Sequence, residues 1–373
     1  MSPTDPARLP PGHLIRDLMR RQPKVAIGTS QAGQDGFPYV SLAIVGGMFL
    51  DRYLIIDPAL TEPSLETGLD AWQVVAKRPQ PGCAGTVTNN LSALGVGEMI
   101  AVSVIGDDGE GYELRRGLQA TRVDTSRMIV RPELMTPTYT KPMVREADGS
   151  ERELNRLDLR NREPTSPEVE EAVIAELRVA VPLVDGVIVA DQEDLPDRGT
   201  ITPRVVDELE RLAAQHSDTV FWADSRGDIG RFRGLIIKPN SFEACRAAGL
   251  QIDGEPTLEK AVEAGHRLFE RNGRPVIVTV GARGMVICEG TGATHVPAVR
   301  VEGPIDIVGA GDSTTGGMVS ALCAGATLVE AALIGNLVAS ITIQQLGTTG
   351  TARPEQVMQR LNDVHAGRVP GAP

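Results

Sequence analysis

The sequence is poor in aromatic residues and in clustered positive charge. Only 3% of its 373 residues are aromatic, and its net charge at pH 7 is −12. Proteins that bind single-stranded nucleic acid stack bases on aromatic side chains, and duplex-binding proteins present basic patches. We therefore expect no nucleic-acid partner.

Cysteines and long apolar segments are also scarce. The four cysteines are far apart and form neither a CxxC pair nor a zinc-binding spacing, which predicts reduced, mostly buried thiols at Cys83, Cys245, Cys288 and Cys323. The apolar runs are short, and the N-terminus lacks a basic segment followed by a hydrophobic one. These features predict a cytoplasmic protein with no signal peptide and no membrane span.

The sequence does contain a regular alternation of strand and helix patterns. Apolar runs at 40–45 and 99–105 each end in glycine and predict strands. From residue 168 onward short apolar runs, including a strand predicted at 234–238, alternate with amphipathic segments. This rhythm predicts an α/β fold, a doubly wound and mainly parallel sheet flanked by helices.

A hairpin signal, Ala-Asp-Gly-Ser at 147–150, interrupts this alternation. Together with predicted strands at 53–56 and 72–76, it favours a small β-sheet lid outside the main sheet. The predicted organisation is an N-terminal extension at 1–39 with a short helix over 13–21, an α/β domain over 40–364 with lid strands near 53–77 and 138–159, and a tail at 365–373.

The most informative stretch is Asp-Ile-Val-Gly-Ala-Gly-Asp-Ser at 306–313, before an apolar helix pattern. Backbone N–H groups at Gly309, Ala310 and Gly311 can bind an anion at such a helix start. Asp312 would then place a carboxylate where a hydroxyl must lose its proton to attack a phosphoryl group. The alternative is a glycine turn with Asp312 or Ser313 as an ordinary N-cap.

Two further stretches are ambiguous when taken alone. Asn240 and Glu243 share one helical face and can organise a magnesium ion's water shell, but Asn-x-x-Glu is also a capping box. Thr279, Gly281 and Gly284 follow a predicted strand and can wrap a nucleotide, or can simply form a tight turn.

Asp51 follows the first predicted core strand, and Gly82 opens a small-residue helix some thirty residues later. A carboxylate beside a backbone without side chains suits a polyol ligand. The alternative is a surface aspartate and an unrelated helix start.

Taken along the chain, these stretches resemble the ribokinase-like (PfkB) carbohydrate kinase family, whose phosphate-loop signature D-x-x-G-A-G-D matches residues 306–312. Within that family the sequence is most similar to the heptose-phosphate kinase half of the bifunctional ADP-heptose synthesis enzymes. The supporting stretches are residues 46–53, 81–95, 136–144, 156–158, 224–227, 231–234 and 238–240.

The resemblance implies an ATP-dependent kinase that phosphorylates a hydroxyl of a sugar or sugar phosphate. It implies Asp312 as the base, with Gly309, Ala310 and Gly311 as the anion hole. The residues implied around ATP are Asp224, Lys238, Asn240, Glu243, Thr279, Gly281, Gly284 and Asn336. Those implied at the sugar are Asp51, Gly82, Asn90 and Lys141.

The resemblance also implies cofactors and an assembly. Asn240 and Glu243 would organise Mg²⁺ through water, and the loop that begins at Asp306 corresponds to a monovalent-cation loop, which implies potassium dependence. A homodimer through the β lid is implied by analogy alone.

The sequence departs from the heptose-kinase pattern on the sugar side. Gly47, Cys83 and Thr86 replace an aspartate, a glycine and an asparagine of those relatives, so the sugar and the phosphorylated hydroxyl stay open. Two alternatives are a nucleoside kinase and a sugar- or nucleotide-binding sensor of the same fold that has lost turnover.

Overall fold

The computed structural model describes residues 37–193 and 195–366. Most of the predicted N-terminal extension, including the helix predicted at 13–21, lies outside the described residues, as does the tail beyond residue 366. Within the described residues, no helix is both long and apolar enough to cross a membrane.

The described residues form sixteen strands and nine α-helices. The strands are β1 (Ser41–Gly46), β2 (Met48–Pro63), β3 (Asp70–Cys83), β4 (Glu98–Val102), β5 (Val104–Gly106), β6 (Val123–Asp124), β7 (Ile129–Arg131), β8 (Thr138–Arg145), β9 (Glu151–Glu153), β10 (Leu157–Leu159), β11 (Gly186–Asp191), β12 (Val220–Ser225), β13 (Ile236–Ile237), β14 (Val276–Thr279), β15 (Met285–Glu289) and β16 (Gly292–Val296). The helices are α1 (Ala84–Ala93), α2 (Gly109–Ala120), α3 (Pro167–Ala180), α4 (Pro203–Gln215), α5 (Ser241–Ala247), α6 (Leu258–Asn272), α7 (Ala310–Cys323), α8 (Leu328–Thr342) and α9 (Pro354–His365).

The main sheet has nine strands in the order β16-β15-β14-β13-β12-β11-β1-β4-β6. The strands from β14 to β6 are parallel, while β15 and β16 complete one edge as antiparallel strands. The chain adds strands to one side of β1 and then to the other, so β1 and β11 flank a topological switch point. Open α/β sheets bind ligands in the crevice at the carboxyl ends of such strands.

Helices cover both faces of this sheet, as predicted for a doubly wound fold. The central strand β1 carries four consecutive side chains with no exposed surface, Leu42 to Val45, because a parallel strand is buried on both faces. One face packs against α3, α4, α5 and α6, and the other against α1, α2, α7, α8 and α9.

The predicted lid forms a second sheet in the order β10-β8-β2-β3, with β9 paired to β8. A single residue separates β2 from β1, so the lid extends from the carboxyl edge of the main sheet. The long antiparallel β2–β3 ribbon runs well beyond the segments predicted at 53–56 and 72–76.

Two strands differ in their bounds from the predicted ones, and one helix was not predicted. The strand predicted at 99–105 breaks at Ser103, whose hydroxyl donates to the carbonyl of Gly46 at 2.7 Å, and β5 leaves the main sheet to pair with β7. The strand predicted at 234–238 is reduced to the two residues of β13. Helix α2 was not predicted, although Asp108 caps it by accepting from the amide of Gly111 at 2.7 Å.

Candidate active site

The carboxyl edge of the main sheet gathers the predicted nucleotide and catalytic residues. Asp224 lies one residue before the end of β12, Lys238 follows β13, and Thr279 ends β14. Because neighbouring parallel strands end at the same edge, these residues lie close together although they are far apart in sequence.

The loop that was predicted to bind an anion directly precedes α7. Gly309 adopts the left-handed conformation (φ 80°), which favours glycine, and is followed directly by the helix. The amide of Ala310 donates to the carbonyl of Ile307, whereas the amides of Gly311 and Asp312 have no acceptor among the described residues. Among the described residues, the amides at this helix start that have no acceptor are therefore those of Gly309, Gly311 and Asp312.

Asp312 lies beside a buried ion pair. The Lys238 amino group contacts the Asp224 carboxylate at 2.7 Å and lies 3.5 Å from where a Cβ at Gly311 would be. The Thr315 hydroxyl donates to the same Asp224 carboxylate at 3.3 Å. Burial alone would lower the pKa of Lys238, but its contact with Asp224 outweighs this and raises it, so Lys238 stays a cation.

Asp312 is half-buried, and its carboxyl group is surrounded by protein at the start of α7. This burial, followed by the charge of Asp224, raises the pKa of Asp312 to about 7, against the opposing pull of Lys238 and Arg226. A carboxyl group with a pKa near neutrality is suited to accept a proton from a substrate.

Asn240 and Glu243 form the capping box that was the alternative interpretation of this motif. Asn240 accepts from the amide of Glu243 at 2.9 Å, and Glu243 accepts from the amide of Asn240 at 2.8 Å. One carboxylate oxygen of Glu243 lies outside this pair of bonds. Asn240 also bridges to Thr279, so the start of α5 is held against the end of β14.

The remaining candidates on the nucleotide side lie along β14, β15 and α8. Gly284 has a φ of 93°, and a Cβ there would lie 2.2 Å from the carbonyl oxygen of Val296, so only glycine fits. Asn336 on α8 donates to the carbonyls of Val296 and Pro297 at 3.2 and 2.9 Å. Gly281 is exposed at the turn after Thr279.

On the sugar side, the lid brings Asp51 and Lys141 together. The Lys141 amino group contacts the Asp51 carboxylate at 2.9 Å and donates to the Tyr53 hydroxyl at 3.2 Å. A Cβ at Gly82 would lie 2.5 Å from the same carboxylate, which explains the glycine. The structure thus places Asp51, Gly82 and Lys141 in one cluster. Asn90, by contrast, is fully buried in α1, and its amide donates to the carbonyl of Thr86.

Asp306 ties two loops together. Its carboxylate accepts from the amide of Val308 at 3.0 Å and from that of Gly347 at 3.2 Å, while its own amide donates to the carbonyl of Ile343 at 2.8 Å. The loop before α7 is therefore fixed to the segment that follows α8.

Two features near the site were not assigned from the sequence. Arg226 follows β12 and acts electrostatically on Asp312. Asp191, at the end of β11, is 4% exposed and accepts from the Ser225 hydroxyl at 2.6 Å and from Arg231 at 2.7 Å. The local sequence did not predict a role for either residue, because that role depends on contacts with residues that are distant in sequence.

Most of this chain matches a known protein family. The model of the pfkB family carbohydrate kinases matches residues 54–355. The chain belongs to this family. It is therefore a member of a family of ATP-using sugar kinases, as the loop before α7 predicted.

Individual PfkB relatives and structures are similar to this chain. Bifunctional protein HldE from Trichlorobacter lovleyi is 29% identical over 324 residues, which cover 86% of this chain and 63% of that protein. The chain thus spans less than two thirds of that relative's length.

Two solved structures show the ribokinase-like fold. Arabidopsis thaliana ribokinase complexed with ribose and ATP matches with a TM-score of 0.61 at 17% identity, covering 86% of this chain and 98% of that one. Phosphofructokinase-2 from Escherichia coli in complex with fructose-6-phosphate also has a TM-score of 0.61, at 18% identity, covering 87% and 98%.

Proposed function

We propose that this protein is an ATP-dependent kinase that phosphorylates a hydroxyl of a sugar or sugar phosphate. The observation that carries the proposal is the position of Asp312: a carboxyl group with a pKa of about 7 at the start of α7, beside amides without acceptors and the Lys238–Asp224 ion pair. Phosphoryl transfer depends mainly on positioning and charge stabilisation, and this edge of the sheet offers both.

Asp312 acts as the base in the proposed mechanism. It takes the proton of the acceptor hydroxyl as the oxygen attacks the γ-phosphorus of ATP, and the bond to the ADP oxygen breaks. The amides of Gly311 and Asp312 and the cation of Lys238 stabilise the negative charge on the transferred group, since fixed dipoles need no reorganisation during the reaction.

The residues present fit a magnesium ion held mainly by phosphates and water. No cluster of three metal-binding side chains occurs among the described residues, and Mg²⁺ in kinases typically keeps several waters. Glu243, through its oxygen outside the capping box, and Asn240 would orient those waters. When bound, Mg²⁺ would neutralise charge on the nucleotide phosphates.

A monovalent cation such as K⁺ is proposed for the loop between Asp306 and the segment after α8. The support is the convergence of these two loops through the Asp306 carboxylate. A cation held by their carbonyl oxygens would stiffen the start of α7.

The acceptor is proposed to bind between Asp312 and the lid. Asp51 and Lys141 offer an acceptor and a donor for sugar hydroxyls, and Lys141 also suits a phosphate. The complexes of similar fold with ribose and with fructose-6-phosphate support this substrate class.

We also assign a homodimer contact to the lid. The β2–β3 ribbon exposes several apolar side chains, Leu60, Leu65, Leu69, Trp72, Val74 and Val75. Clustered exposed apolar groups of this kind are typical of protein interfaces.

The function is tested by measuring ADP release with MgATP over a panel of sugars, sugar phosphates and nucleosides. We expect turnover on a sugar or sugar phosphate, and a loss of at least about 10³-fold in Asp312→Asn because base and positioning are both removed. An active Asp312→Asn would exclude the mechanism. Tight binding of a panel compound without any ADP release would instead favour a sensor that has lost turnover.

A further inference from the structure

Arg226 has a fixed main chain at the carboxyl edge of the sheet. Its amide donates to the carbonyl of Asp191 at 2.9 Å. The preceding residue, Ser225, donates its hydroxyl to the buried Asp191 carboxylate at 2.6 Å and accepts from the amide of Asp228 at 3.4 Å. The backbone on both sides of Arg226 is therefore anchored.

The guanidinium of Arg226, in contrast, is exposed and has no carboxylate within ion-pair distance in the part of the chain that the structure describes. Other cations at this edge are already committed. Lys238 pairs with Asp224 at 2.7 Å, Lys141 with Asp51 at 2.9 Å, and Arg231 with Asp191 at 2.7 Å. Arg226 thus offers a full positive charge to a ligand.

The position of this charge is between the base and the start of α5. Arg226 acts on the carboxyl group of Asp312 and on the thiol of Cys83. It also lines a cavity of about 200 Å³ together with Glu243 and Arg246. Arg226 therefore borders both the cavity side at Glu243, where the nucleotide phosphates are proposed to bind, and the carboxyl group that is proposed to take the proton.

We infer that Arg226 is a further catalytic residue, which contacts the phosphoryl group during its transfer. This inference rests on the proposed kinase function. The bond from the γ-phosphorus to the ADP oxygen breaks, the bond to the acceptor oxygen forms, and the hydroxyl proton goes to Asp312. Arg226 exchanges no proton in this step, and its role is to hold the equatorial oxygens through paired N–H donors.

The chemistry favours a role in the transition state over ground-state binding. In the transition state, negative charge lies on the transferred oxygens and on the attacking oxygen near Asp312. A cation fixed there stabilises the transition state more than it stabilises the ground state with ATP bound. We therefore expect Arg226→Ala to lower kcat by about 10²- to 10³-fold, with a much smaller change in the KM for ATP.

The experiment compares Arg226→Ala, Arg226→Lys and Arg246→Ala by steady-state ADP release with the best acceptor of the panel. Arg246→Ala is the matched control: it removes another arginine that lines the same cavity and is not among the charges that shift the pKa of Asp312, and we expect a much smaller loss of kcat. Arg226→Lys should retain more activity than Arg226→Ala. Added guanidinium ion should partly restore kcat in Arg226→Ala, which a merely misfolded variant would not show.

The outcomes separate this inference from the proposed function. Wild-type turnover with an undiminished kcat in Arg226→Ala would overturn the role of Arg226 and leave the kinase assignment intact. A loss confined to the KM of a phosphorylated acceptor would also overturn it, because Arg226 would then bind the acceptor's own phosphate. No wild-type turnover on any compound would overturn the proposed function, and this role with it.

Discussion

At the scale of single residues, Asp312 combines a chemical advantage with a cost to stability. The carboxyl group is surrounded by protein and lies near Asp224, so its ionised form is disfavoured until a substrate or cation arrives. The environment that makes Asp312 a competent base near neutral pH therefore also makes the stability of the folded state depend on whether this carboxyl group is ionised.

The first prediction concerns the pH dependence of stability. In the unfolded chain this carboxyl ionises near its ordinary pKa of 3.8, whereas in the folded protein it ionises at about 7. Stability is therefore lost as pH rises between these two values, because the unfolded state releases its proton first. Asparagine at this position does not titrate. The free energy of unfolding of Asp312→Asn, relative to that of wild type, should therefore be higher at about pH 8 than at about pH 5.

The measurement is denaturant unfolding of both proteins, without ligands, at the two pH values. A difference in the free energy of unfolding that is the same at both pH values would contradict the raised pKa. The activity of wild type gives an independent check, since kcat/KM should rise with pH up to about 7 as the base ionises.

Cys83 shows what the sequence could not predict at this scale. It is a buried residue with φ 57°, a backbone conformation that side chains rarely adopt, at the start of α1. Burial, and next the charge of Asp312, raises the pKa of its thiol well above the usual value. The sequence predicted a reduced thiol at a position where heptose kinases have glycine, but not this backbone conformation, because backbone strain depends on the surrounding fold.

At the scale of elements, the sequence predicted the strands that are buried on both faces. It gave the wrong bounds for strands whose ends are set by hydrogen bonds to other parts of the chain. The run at 40–45 is continuous and apolar, and β1 is found there. The break at Ser103 and the two-residue β13 follow from hydrogen bonds to Gly46 and to neighbouring strands. These hydrogen-bond partners are distant in sequence, so the local pattern could not predict them.

The candidate site was predictable to a similar extent. The family resemblance implied Asp224, Lys238 and Thr279 around one nucleotide, and in the structure all three lie at the carboxyl edge that β12, β13 and β14 share. Arg226 was not singled out as catalytic, since its proposed role depends on the lack of a carboxylate partner among the described residues, which only the packed structure can show.

A second prediction separates the structural and functional roles of the capping box at Asn240. Asn240→Ala should lose about 1 kcal/mol of stability, because the side chain caps α5. Asn240→Ser keeps a good N-cap and should be nearly as stable as wild type. Both variants should lose activity if Asn240 organises the magnesium waters.

The matched control is Thr327→Ala, which removes an equivalent capping box from α8. Thr327 lies at the start of α8, away from the cleft, so this variant should lose a similar amount of stability and keep its activity. The measurements are denaturant unfolding and ADP release for the same set of proteins. Full activity in Asn240→Ser would leave only the capping role.

At the scale of the whole molecule, the lid connects assembly to substrate binding. Asp51 on β2 and Lys141 on β8 hold the proposed sugar side, and both strands belong to the sheet that also carries the exposed apolar ribbon. A two-stranded ribbon is only marginally stable by itself in water. A partner that covers it would therefore steady the position of Asp51 and Lys141.

The third prediction follows from this coupling. Trp72 and Val74 are both exposed and lie two residues apart on β3, so they share one face of the ribbon. In light scattering, wild type should have the mass of two chains, and the double variant Trp72→Glu/Val74→Glu that of one. Because a single chain leaves the ribbon uncovered, the KM for the acceptor should rise while the KM for ATP stays near that of wild type.

Leu183→Glu is the matched control for the effect of adding charge to an exposed apolar site. Leu183 precedes β11, and therefore lies at the opposite, amino edge of the main sheet from the lid. This variant should remain a dimer with an unchanged acceptor KM. A monomeric wild type would exclude the lid contact, and a monomeric double variant with an unchanged acceptor KM would show that the lid holds Asp51 and Lys141 without help from a partner.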